Sequence, residues 1–297
     1  MKELIRDRVY LLLIYFVAFS VGFFIGNTYS ELNSLWKYVM SILFIVITIF
    51  VFSFLMDNSS VFDPYWSVAP FLAAGFWLFL SGGSSATLTG RSDFVRIMIL
   101  LVILLIYGIR LTWNFIRGWK GFKQEDWRYI HFRKTTGVLY WAVSLLGIHL
   151  FPALMVFLGS LSIYATITGD SGPLRWMDIP AIAVTVSAIL IEAFADKQLR
   201  TYILKNPGTD KTLESGLWRI SRHPNYLGEI LFWWGLYLFA LAANPGWWWV
   251  IVGPAAITLM FLFASIPMME KRMMERRKDY KEYCKKVPVL LPFGRRG

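Results

Sequence analysis

The sequence predicts an all-α, polytopic integral membrane protein of about eight transmembrane helices, with both termini cytoplasmic. Three observations predict it. The 297 residues are 57% hydrophobic and 18% aromatic with only 16% charged, far from the balance of a soluble domain. Apolar runs recur at close to the roughly 20 residues that cross a bilayer as helix. The cations collect in alternate loops, which places those loops on the cytoplasmic side.

The first run, Val9 to Gly26, follows Lys2, Arg6 and Arg8. That start looks like a signal peptide, yet the run is long enough to span and no small-residue cleavage site follows, so a retained anchor is expected. The second run, Trp36 to Met56, leads into "FDPYWS", Phe62 to Ser67, where the third run, Tyr65 to Ser81, begins. Pro64 suits a first helical turn and Asp63 suits the N-cap ahead of it. This loop carries an acid and no cation, against the sign of the other cytoplasmic loops, so Asp63 also reads as an acid at the mouth of a cavity. Both readings stay open.

The fourth run, Phe94 to Asn114, places Tyr107, Arg110 and Asn114 on one helical face. Arg110 either snorkels toward the cytoplasm or faces a cavity holding an anionic or carbonyl group. In the second case the Tyr107 phenol is a proton donor one turn deeper. The loop "EDWRYIHFRK", Glu125 to Lys134, mixes aromatics with both charge signs, as interfacial segments do, and its Arg128 and Arg133 suit phosphates. The fifth run, Val138 to Ile167, is overlong, and Pro152 is expected to kink it or to divide it into two half-length helices. His149 nearby fits a mid-membrane site or, more simply, a hydrogen-bonded core histidine.

The sixth run, Trp176 to Ala195, ends in Glu192, Asp196 and Arg200, stacked on one face. A carboxylate at that depth needs a partner or a polar cavity, so a ligand-facing role and an Asp196–Arg200 ion pair are the alternatives. The seventh run, Tyr226 to Ala243, is preceded by Arg219, Arg222, His223 and Pro224. Proline opens a helix well, and the free N–H groups and positive dipole end there attract anions. Glu229, one turn inside, is costly without a donor. These residues read as a site for a phosphorylated or otherwise anionic cofactor. The eighth run, Trp247 to Met269, leads into a basic C-terminal segment.

Several function classes drop out. The net charge of +11 follows the topology and argues for membrane lipids rather than nucleic acid as its partner. One cysteine and three histidines are too few for a zinc or iron-sulfur centre and allow no disulfide. The nucleotide-binding and hydrolase motifs of soluble folds are missing, so any cofactor must be held by helices and loops. One membrane domain is expected, with substrate-side helices in 1–135 and cofactor-binding helices in 136–297.

"RHPNYLGE" followed by "WWG", the preceding "EAFADKQLR", the "FDPYWS" and "EDWRY" segments and the tail "YKEYCKKVPVLLPF" resemble the bacterial membrane proteins related to steroid 5-alpha-reductases. The resemblance implies NADPH bound by the last helices and a lipid-facing cavity for an enone, with hydride added to the beta carbon and a proton to the alpha carbon. It implies that Asp196 and Arg200 lie on the cofactor-binding acidic helix. Asn225, Tyr226 and Glu229 fall in an N-x-x-G-E element, and Arg272 and Arg276 on the C-terminal helix face that reaches the cofactor. Tyr107 matches the catalytic tyrosine. The catalytic glutamate of those enzymes has no counterpart, and Asp63 is its nearest substitute by topology.

The last third is also similar to isoprenylcysteine carboxyl methyltransferases and phospholipid methyltransferases, which implies S-adenosylmethionine instead. The front-half segments favour reduction. The expectation is an NADPH-dependent reductase of a lipophilic enone drawn from the bilayer, in a bacterial inner membrane with its site open to the cytoplasm. Tyr107, Asp63 and Glu229 are its catalytic candidates. Arg110, Asn114, Glu192, Asp196, Arg200, Arg219, Arg222, His223, Asn225, Tyr226, Arg272 and Arg276 are its cofactor-binding candidates. A membrane methyltransferase is the alternative, and a transporter or non-enzymatic membrane protein the second.

Overall fold

A computed structural model describes residues 2–29, 31–82, 89–169 and 171–291, so the tail's Pro292 and Phe293 and the cations Arg295 and Arg296 lie outside the described residues. All regular structure among these residues is helical. Among the described residues seven helical runs are long and apolar enough to cross a membrane: Lys2–Thr28, Ser34–Leu55, Phe94–Gly118, Trp127–Thr168, Asp178–Lys205, Pro224–Ala243 and Pro245–Arg276. The third expected span, Tyr65–Leu80, is helical but has 16 residues. At 1.5 Å per residue it reaches roughly 24 Å, short of the roughly 30 Å hydrocarbon core. The chain is an all-α, polytopic integral membrane protein.

The residues divide into two compact units, Met1–Thr168 and Gly169–Gly297. In the first, α1 (Lys2–Thr28) buries Leu11, Ile14, Tyr15, Ala18, Gly22 and Gly26, a stripe at helical spacing. Its other faces stay apolar: Leu12, Phe16 and Phe24 are 69%, 72% and 69% exposed, as lipid-facing side chains are. A Cβ on Gly22 or Gly26 would collide with Ile45, Ser41 or the Lys37 carbonyl, so these glycines let α1 approach α2 (Ser34–Leu55) closely. Asn33 caps α2 by accepting from the Trp36 N–H at 3.0 Å. A 3-10 turn, Ser59–Phe62, leads into α3 (Tyr65–Leu80), which packs on α4 (Phe94–Gly118).

The overlong fifth run is one continuous helical stretch with local defects: α5 (Trp127–Thr136), a 3-10 turn, α6 (Tyr140–Val143), a π-helical segment (Ser144–Leu150) and α7 (Phe151–Thr168). The irregularity sits just ahead of Pro152. Proline offers no N–H to the preceding turn and crowds it, and the wider π turn accommodates both effects.

In the second unit, α8 (Asp178–Lys205) packs along α9 (Pro224–Ala243). Contact is close at two glycines. A Cβ on Gly228 would lie 2.8 Å from the Ala188 carbonyl oxygen, and one on Gly235 would strike Thr185. The last run comprises a 3-10 turn (Pro245–Ile251), α10 (Val252–Met260), a π segment (Phe261–Ser265) and α11 (Ile266–Arg276). A short α12 (Tyr280–Lys286) follows.

Candidate functional site

Each unit carries its own polar centre. In the second unit, α9 starts at Pro224 as the sequence predicts, and the His223 side chain does not cap it. The imidazole Nε2 instead lies 3.1 Å from Glu270 Oε1 on α11, and Arg222 Nε lies 3.3 Å from the same oxygen. Tyr226 stacks on the His223 ring with centroids 5.4 Å apart and planes 8° from parallel. Glu270 gathers both side chains. Its only sequence signal was an acid within a basic helix.

The "SRHP" segment is strapped from two sides. The Arg222 N–H donates to the Pro288 carbonyl at 2.9 Å, Ser221 Oγ reaches the Val289 carbonyl, and the Tyr283 hydroxyl donates to the carbonyls of Trp218 and Ser221. From the C-terminal end of α8, the Ala195 carbonyl accepts from Trp218 Nε1 and Gln198 Oε1 accepts from the Leu217 N–H. Asp279 accepts from both the backbone and the hydroxyl of Thr212. Burial works to raise the Asp279 pKa, but these hydrogen bonds outweigh it and hold the carboxyl below its usual range. The separated motifs of the last third are therefore contact partners.

Within this unit Glu192 and Glu229 are buried, and Glu229 Oε1 accepts from Trp233 Nε1 at 2.8 Å, the donor its depth demanded. Asp196, Asn225, Tyr226 and Arg272 are half-buried, and Arg200, Arg219 and Arg276 are exposed. The Asp196–Arg200 ion pair is not formed, because Arg200 points to the surface and has no ion-pair partner among the described residues. Arg222 makes no hydrogen bond through its terminal nitrogens to a described residue, although its Nε is enclosed beside Glu270. A helix start flanked by such arginines fits a phosphate-bearing group.

In the first unit, Asp63 does not cap α3. The cap position belongs to Pro64, and Asp63 closes the preceding 3-10 turn. Its Oδ1 accepts from the Tyr129 hydroxyl at 2.6 Å, and Ser60 adds a second hydrogen bond. Burial pushes the Asp63 pKa up to about 7, against the pull of Arg128 and the Tyr129 hydrogen bond. Tyr129, unremarked in the "EDWRY" segment, is the phenol brought to this acid. Loop 122–126 is held over the turn by Asn58, which donates to the carbonyls of Phe122 and Gln124 at 2.7 and 3.0 Å.

Tyr107 is fully buried on α4, and Arg110 and Asn114 are half-buried on the same helix. Two apolar cavities flank α3. One, of about 560 Å³, is bounded by α1, α2 and α3 and lined by Tyr15, Phe19, Phe23, Tyr38, Tyr65 and Phe76. The other, of about 420 Å³, lies against α4 and includes Ser67, Gly108, Thr112 and Trp113. Tyr107 lines neither, whereas the Tyr65 hydroxyl is buried beside the first with no hydrogen-bond partner among the described residues.

Known proteins supply kinship rather than an activity. The chain is 27% identical over 257 residues to an uncharacterized protein of the fission yeast Schizosaccharomyces pombe, covering 79% of this chain and 73% of that one. No solved structure matches. Residues 49–287, most of the chain, match the family model described as a protein of unknown function, DUF1295, and the chain belongs to that family.

Proposed function

We propose that this protein is a membrane-embedded, NADPH-dependent reductase of a carbon–carbon double bond in a lipophilic enone. The observation that carries the reading is the start of α9, where Arg222 and His223 converge on Glu270 under the C-terminal strap. Arg222, Arg219, Arg272 and Arg276 supply more phosphate-binding capacity than helix placement needs. NADPH, when bound, supplies the hydride. His223 and Tyr226, stacked on one another, form an aromatic wall beside the cationic pocket.

The cavity of about 560 Å³ in the first unit suits the substrate, being apolar, aromatic and lined by Tyr65, whose buried hydroxyl has no hydrogen-bond partner among the described residues. Asp63, with its pKa near neutrality, is suited to hold and release the proton that reduction of an enone consumes, and Tyr129 orients it. The resemblance gives Tyr107 the role of the phenol that polarises the carbonyl, but Tyr107 lines neither cavity, and Tyr65 is the phenol that this cavity offers for it. The basic loops favour a cytoplasmic side for these groups.

A second reading has one observation in its favour. The strap between the "SRHP" segment and residues 288–289 joins the two motifs shared with the methyltransferases that use S-adenosylmethionine. Equilibrium titration of the purified protein in nanodiscs with NADPH and with S-adenosylmethionine separates the two. Saturable NADPH binding is expected. Binding of S-adenosylmethionine without NADPH would replace reduction with methyl transfer.

A further inference from the structure

The cavity of about 420 Å³ between α3 and α4 is a groove with one charged end. The two helices are pinned together beside it: a Cβ on Gly108 would lie 2.9 Å from the Ser67 carbonyl oxygen, and the Thr112 hydroxyl lies 2.8 Å from Ser67 Oγ. Apart from these residues its walls are apolar, as at Phe71 and Leu104. Leu105, Ile109 and Trp113 line it and are exposed, so it opens toward lipid. Along α4 it extends from Leu104 to Ile116, 12 residues on, a rise of roughly 18 Å. That is close to half of the roughly 30 Å hydrocarbon core, the depth of a single leaflet.

The charged end lies at the C-terminus of α4. The Arg117 guanidinium sits over the Trp113 ring, 5.9 Å from its centroid. Tryptophan favours the headgroup level, so this ring marks where the groove meets the interface. Arg117 and Lys120 are exposed and have no ion-pair partner among the described residues. The last carbonyls of a helix repel anions, but two of them are covered here. The Ile116 carbonyl accepts from Arg8 Nη2 at 2.9 Å, and the Phe115 carbonyl accepts from the Trp119 N–H at 2.8 Å. Arg8 thereby brings a third cation to the same end.

We propose that this groove is a binding site for an anionic phospholipid, which lays one acyl chain between α3 and α4 and sets its headgroup against Arg117, Lys120 and Arg8. The apolar length takes the chain of one leaflet, and the unneutralised cations at its end select a headgroup of net negative charge. A soluble anion would use the cations and leave the apolar length uncovered. The site stands on this geometry and does not depend on the reductase reading.

Native mass spectrometry of the full-length protein, released from nanodiscs of phosphatidylglycerol and phosphatidylcholine with identical chains, reads the lipid that stays bound. One retained phosphatidylglycerol is expected, in preference to phosphatidylcholine. Arg117→Gln, a change at an exposed position, reduces that preference roughly fivefold, and Arg117→Lys keeps most of it. Val68 and Leu72 line the larger cavity as well, so the apolar part of the site is tested on α4. Leu105→Trp fills the groove and lowers retention of both lipids on the order of tenfold. Val95→Trp, at an exposed position near the opposite end of α4 and outside the groove, leaves retention unchanged. Equal retention of the two lipids by the unaltered protein, a preference that survives Arg117→Gln, or equal effects of Leu105→Trp and Val95→Trp each overturn the site.

Discussion

Asp63 carries a signature that can be measured without knowing a substrate. Its carboxyl has a folded pKa of about 7 against an ordinary 3.8, raised chiefly by burial. The folded chain therefore binds a proton that the unfolded chain has released between those values, and this contribution to stability declines as pH rises through about 7. Asp63→Asn keeps an acceptor for Tyr129 and removes the titration. Thermal midpoints of the two proteins are expected to diverge between pH 4 and 7, with the unaltered chain losing ground as pH rises, and parallel curves would refute the assignment. The acid was legible in "FDPYWS" because it broke the charge pattern of its surroundings. Tyr129 and Glu270 were not, since a tyrosine in an interfacial loop and an acid in a basic helix are common, and only contact gives them meaning.

Helix starts and apolar lengths were readable element by element, because each depends on a few neighbouring residues. Pro224 opens α9, and the runs fall close to their expected places. Defects inside elements were less so: the irregularity near Pro152 was foreseen as a kink or a break and emerges as a π segment that shares its hydrogen bonds with His149. Close approach was equally hidden. Gly228→Ala puts a Cβ against the Ala188 carbonyl and the Glu192 backbone, and is expected to cost about 1–3 kcal/mol. Gly75→Ala, facing open space on α3, is expected to be neutral or to stabilise by roughly 0.5–1 kcal/mol. Unfolding of the paired variants in detergent checks the contrast, and equal midpoints would remove the packing role of Gly228.

For the molecule as a whole, the proposed cofactor site depends on a strap formed by residues distant in the chain. Removing residues 288–297 deletes the acceptors for the Arg222 N–H and Ser221 Oγ. NADPH affinity is expected to fall by an order of magnitude or more while the protein still inserts in membranes, because the long apolar runs remain. Arg222→Ala is expected to weaken NADPH by a similar factor. Unchanged affinity in both variants would detach the α9 start from the cofactor.

The sequence by itself determined that this chain crosses a membrane as helices, because lipid enforces length and hydropathy on each segment separately. It also marked the α9 start as the densest polar site. Only the tertiary structure decided that His223 and Arg222 share Glu270, that Asp63 belongs with Tyr129, and that Glu125 leads through hydroxyls to His149. Those pairings join residues up to 85 positions apart, and a hydrogen bond requires a distance and an angle that no local pattern encodes.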